Sequence, residues 1–136
     1  MAQTRIQKEY LDDELVDKTT AQTLIEKRIT SRVLSAASYT TDTGTSLNGD
    51  TQDAFIVTAQ AGALLFNAPS GTPTNGQKLI ITVASSAAVA RALTWNAIFE
   101  ASTVALPITT AATTAQLNIG FLYSAGRVKW VCVAVA

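Results

Sequence analysis

The groups in this chain that could do chemistry are few. Beyond residue 32 the carboxylates are Asp42, Asp50, Asp53 and Glu100, the single thiol is Cys132, and the 136 residues contain no histidine. A hydrolase needs paired carboxylates, a nucleophile with a base beside it, or a metal. Asp50 and Asp53 sit together in NGDTQDAF (48–55), at what reads as the start of a strand, where turn-forming or capping use is expected of them. Cys132 falls inside an apolar strand pattern with no histidine to activate it, so it is expected to act as a small hydrophobe. One cysteine closes no internal disulfide and builds no multi-cysteine zinc site. The acidic run Asp12-Asp13-Glu14 lacks the spacing of a calcium loop, and no glycine-rich phosphate loop follows a strand and opens a helix. No catalysis, metal or cofactor is expected.

Arg91 could stack on an aromatic ring or pair with Asp50 or Asp53, a structural use expected ahead of ligand contact. Trp95, Phe121 and Trp130 are expected to anchor a core, because large aromatic side chains dominate burial. That reading also takes precedence over glycan stacking for either tryptophan.

The elements that must position these residues follow from how charge is spread. Ten basic and ten acidic residues give a formal net charge of zero, which argues against a nucleic-acid partner. Twelve of the twenty lie in residues 1–32 and only eight in residues 33–136. That is about 8% charge against roughly 25% in an average soluble domain. A charged arm and linker over 1–47 therefore precedes a body over 48–136. No apolar run approaches the roughly 20 residues of a membrane span, and the opening MAQTRIQKEYLDD lacks the pattern of a signal peptide.

Within the arm, TTAQTLIEKRIT (19–30) places Leu24, Ile25 and Ile29 on one helical stripe, and Thr19 with Gln22 has capping-box spacing. Acidic residues precede this segment and Lys27, Arg28 and Arg32 close it, the order that suits a helix macrodipole. A helix this short is marginal alone, so its stripe packs either on the chain's own body or on a partner. The expectation adopted is an anchor to a partner. Its apolar contacts are Ile6, Tyr10, Leu11, Leu15, Leu24, Ile25 and Ile29, and its polar contacts are Arg5, Lys8, Lys27, Arg28 and Arg32.

The body reads as all-β. Strands are expected over 53–58, 63–68, 78–84, 92–96, 102–106, 116–124 and 127–135, separated by Gly and Pro signals. This spacing indicates an antiparallel, jelly-roll-like β-sandwich rather than βαβ units. Alternation places Leu79, Ile81 and Val83 on one face, Leu117, Ile119, Phe121 and Tyr123 on another, and Val128, Trp130, Cys132 and Ala134 on a third. Val131, Val133 and Val135 then form an apolar row facing away from the core. Such rows invite aggregation unless covered, so they are expected to be an oligomer interface.

The body resembles a small β-sandwich module of tailed-bacteriophage virion proteins, of the tail-fibre, head-fibre and capsid decoration type. The residues that carry the likeness are NGDTQDAF (48–55), GTPTNGQKLII (71–81), ARALTWN (90–96), LP (106–107), GFLYS (120–124) and KWVCVAV (129–135). Val131 and the stretch ASSAAVA (84–90) are more apolar than that pattern, which weakens any inherited sugar or ion binding. The resemblance implies a virion location and, commonly, a homotrimer, without fixing head or tail; the partner expected for the arm is the major capsid protein. The role expected is capsid decoration or head fibre, with no nucleic acid and no membrane. The alternative is a short tail fibre or receptor-binding tip held by a tail protein.

Overall fold

The computed structural model describes residues 31–36, 47–112 and 115–136. Every regular element among them is a β-strand: β1 (Val33–Ala36), β2 (Ala54–Gln60), β3 (Leu64–Phe66), β4 (Lys78–Ser85), β5 (Leu93–Trp95), β6 (Phe99–Glu100), β7 (Gln116–Ser124) and β8 (Lys129–Val135). They form a six-stranded sheet in the order β1-β2-β4-β7-β8-β6 and a two-stranded sheet of β3 and β5. The arm residues from Arg5 to Ile29, and the helix expected over 19–30, lie outside the described residues.

Apolar alternation makes β4 and β7 the centre. Leu79, Ile81 and Val83 are buried on β4, and register sets them against Phe121, Ile119 and Leu117 of β7. Partners opposite one another share a face, so these three pairs build one continuous apolar surface. Phe55 and Val57 of β2 and Trp130 and Cys132 of β8 extend it, and Leu64, Phe66 and Leu93 of the smaller sheet belong to the same core cluster. Trp95 stacks on Phe66 at 4.2 Å and meets Phe99 and Phe121 edge-on or tilted at 5.3 and 5.6 Å. Its indole N–H donates to the Pro107 carbonyl at 2.7 Å, which lets a polar ring atom sit beside the core. Trp95, Phe121 and Trp130 are all members of this core or packed against it.

Antiparallel pairing, expected throughout, holds for β4–β7 and β7–β8. The pairs β1–β2, β2–β4, β3–β5 and β6–β8 are parallel. The cause is the path of the chain. It leaves β2 for the second sheet at β3, returns for β4 and crosses again for β5, so β2 runs the same way as β4 and β3 the same way as β5.

Three strand boundaries also differ. Residues 102–106 form no strand; 102–104 bend, where the Ser102 hydroxyl bonds backbone groups itself, accepting from Val104 N–H at 3.1 Å and donating to the Cys132 carbonyl. β6 is only two residues long, with Phe99 buried and Glu100 half-buried, too short to carry a readable pattern. β1 lies inside the stretch assigned to arm and linker, yet it pairs with β2 from Val33↔Ala54 to Ala36↔Val57.

Val128 lies outside β8, 61% exposed, in a hairpin turn with φ of 53°. The hairpin is held to the turn before β4 by Asn75, whose side-chain oxygen accepts from Ala125 N–H at 3.0 Å.

Loop 70–77 and the NGD turn at 48–50 lock together. Asn48 pairs with Ser70 as an isolated bridge, Gly49 N–H donates to the Ser70 carbonyl at 2.8 Å, and the Gln77 amide donates to the Gly49 carbonyl. Gly71 adopts φ of 90°, and a Cβ there would stand 2.7 Å from Asp50 Cγ and 2.9 Å from Asn48 Oδ1. Gly76 adopts φ of 80° in open space. Gly71→Ala should therefore destabilise the body by more than the roughly 1–2 kcal/mol that a left-handed backbone alone costs, whereas Gly76→Ala should cost only that. Urea denaturation midpoints measure both, and equal losses at the two sites would mean that crowding against Asp50 plays no part.

Candidate interaction surface

The expected row Val131, Val133, Val135 is broken by a bulge. Gly120 of β7 pairs with Ala134 and the next residue, Phe121, pairs with Cys132, so Val133 is an extra residue in β8. Because the side-chain period of a strand is two, one inserted residue reverses every face beyond it. Val131 faces outward with its partner Leu122, and Val133 lies outward beside Gly120. Val135 instead pairs with Ile119, a core residue that is 0% exposed. Val133 and Val135 remain 45% and 39% exposed, but they do not share a row. Ala134 likewise leaves the face of Trp130 and Cys132 and turns outward with Gly120.

The outward face is wider than β8. Register carries Val33, Ala54, Ile80, Gly120 and Ala134 across five neighbouring strands in one row. Ile80 is 49% exposed and Leu122 36%. Alternation with the buried Leu79 and Ile81 puts Ile80 opposite the core, but joining it to Val133 requires strand order and register.

Asp50 and Asp53 are both engaged in hydrogen bonds. Asp50 accepts from Thr72 N–H at 2.8 Å. Asp53 takes a two-pronged bond from Arg32, Nε to Oδ2 at 3.0 Å and Nη2 to Oδ1 at 2.6 Å, and a third from Arg32 N–H at 3.0 Å. The Arg32 guanidinium also donates to the Asp50 carbonyl. These bonds, the side-chain ones first, hold the Asp53 carboxyl down from its ordinary 3.8 to about 2. Arg32, read as an anchor residue, thus ties the start of β1 to the start of β2. Asp53 N–H and Ala54 N–H return the link by donating to the Arg32 carbonyl at 2.8 and 3.1 Å.

The pairing of Arg91 with Asp50 or Asp53 does not form. Arg91 sits at the far end of the strands, where its N–H donates to Thr110 Oγ1 at 3.0 Å and its carbonyl accepts from Thr110 N–H at 2.9 Å. Its buried Nε and the buried Oε1 of Gln60 lack hydrogen-bond partners among the described residues. Cys132 is fully buried, and burial pushes its thiol up, away from the thiolate. Among the described residues no group of three or more His, Cys, Asp or Glu side chains is placed to hold a metal, and no helix is long and apolar enough to cross a membrane.

No protein-family model, curated protein or solved structure matches the chain.

The Arg32–Asp53 contact has a pH signature. A carboxyl held low in the fold stabilises it fully above its unfolded value, and that contribution fades as pH falls from about 3.8 towards 2. Thermal unfolding of the wild type and Asp53→Asn should differ at pH 6 and converge as pH drops through this window. A constant difference down to pH 2 would show that the carboxylate charge is not what Asp53 contributes.

Proposed function

We propose that this chain is a structural component of a bacteriophage virion, a capsid decoration or head-fibre protein. In this reading the two sheets form a β-sandwich, the body assembles as a homotrimeric knob, and the arm binds the major capsid protein. The observation that carries it is where charge lies. Seven of the eight charged side chains among the described residues, Arg32, Asp50, Asp53, Lys78, Glu100, Arg127 and Lys129, sit at the end of the body where the chain enters at Ser31, and Arg91 alone lies at the other. From the row Val33–Ala54–Ile80–Gly120–Ala134 onward, the described residues of the six-stranded sheet carry no charge.

A body polarised in this way has one end suited to solvent and to a charged arm, and uncharged rows of the six-stranded sheet that can meet apolar surface without stripping water from ions. Such a protein works by binding alone. Several arms on one knob raise effective concentration, so individually weak contacts give high avidity. Binding only to assembled shell would stabilise the shell by mass action. The residue resemblance set out above supplies the virion setting.

Removal of residues 1–30 tests this reading, with the cut placed so that Arg32 keeps its bond to Asp53. The truncated chain should fold, sediment as the same oligomer as the full chain and fail to bind particles of the phage that encodes it. Full occupancy by the truncated protein would remove the arm from its assigned role. Labelling on particles then separates shell from tail: a copy number matching the shell lattice supports decoration, and a few copies at the tail tip support the fibre alternative.

A further inference from the structure

We propose that the outward face of the six-stranded sheet is the surface on which copies of this chain join, with Ile80 of one copy seated in the hollow at Gly120 of the next. This rests on the self-association in the proposed function and gives it a two-fold contact between pairs of copies, in place of the trimer that the residue resemblance implies.

The starting point is a glycine that the subunit does not require. Gly120 lies inside β7, between β4 and β8, where glycine weakens a strand by giving up packing and conformational restriction. Its backbone is not in the left-handed region, unlike that of Gly71 and Gly76. A Cβ built on it would stand 3.5 Å from Ala134 Cβ and 3.8 Å from Val133 Cγ2, which is ordinary contact. Alanine would therefore fit the isolated fold. What the missing side chain leaves is a hollow on the outward face, flanked by Ile80 across one strand gap and by Val133 and Ala134 across the other. A half-exposed isoleucine beside an empty position is a knob beside a hole.

The occupant follows from charge and size. The row through Gly120, and the rows beyond it, offer no ionisable group for a charged partner to recognise. Thr82 and Asn118, the polar pair on the next row, are bonded to each other at 2.9 Å. A second copy brings the same uncharged face, and an axis parallel to the strands between β4 and β7 lays Ile80 of one copy over Gly120 of the other. Five strands at about 4.8 Å spacing and seven residues at about 3.3 Å rise outline at most roughly 24 by 23 Å, about 550 Å² in projection. That is near the about 600 Å² per partner at the lower end of specific interfaces. Lys78 and Lys129 lie at the margin of this area, Lys78 exposed and the Lys129 ammonium donating to the Ala97 carbonyl at 2.6 Å.

Sedimentation equilibrium of the full chain tests this with four proteins: wild type, Gly120→Ala, Ile80→Glu and Ile108→Glu. Ile108 is 75% exposed and lies beside β5, away from this face, so it controls for an added charge. Circular dichroism and thermal unfolding establish that each variant folds. The expected result is an oligomeric wild type and Ile108→Glu, with Gly120→Ala and Ile80→Glu folded and dissociating at least about tenfold more readily. An oligomeric wild type whose Gly120 and Ile80 variants associate equally well overturns this interface and leaves the oligomer reading standing. A monomeric wild type overturns both.

Discussion

A β-sheet presents two faces, and the residues of this body bury only one of them in a second layer. β3 and β5 supply Leu64, Phe66 and Leu93 to a core that Phe55, Ile81, Ile119, Phe121 and Trp130 fill from the larger sheet. Two short strands cannot also cover the opposite side. What stays uncovered is the outward side, with Ile80, Leu122 and Val133 exposed on it.

Polar groups among the described residues fasten that frame. Arg32 grips Asp53 with a fork of two bonds, and Asp50 receives the Thr72 N–H, so the residues most available for acid–base chemistry fasten the first strand pair and the 70–77 loop. A planar guanidinium suits this because it satisfies both carboxylate oxygens in one geometry. Gly71 is the cost of bringing those loops together, since only a residue without a side chain fits against Asp50 with a positive φ.

The proposed reading unites these features as a device for binding. A body with one apolar outward face and one charged end suits a protein whose copies join through the first and whose chain continues from the second. Association through uncharged rows avoids the desolvation of ions, and the charged margin keeps the assembly soluble.

Much of the frame was legible from residue order alone. Alternation in KLIITVA and QLNIGFLYS determined which side chains of β4 and β7 face inward, because a period of two leaves no other way to bury them. The absence of histidine and the setting of Cys132 likewise determined which chemistry to doubt. Strand pairing did not follow, since whether neighbours run parallel depends on where the chain crosses between sheets. The face of Val135 did not follow either: a local pattern of V-C-V-A-V cannot show that Val133 is an extra residue against Gly120. Nor could it show that Asp53 bonds Arg32, 21 positions away, rather than Arg91. Local periodicity is a property of the chain, whereas register, bulges and ion pairs arise only when distant strands meet, and there the tertiary structure decided.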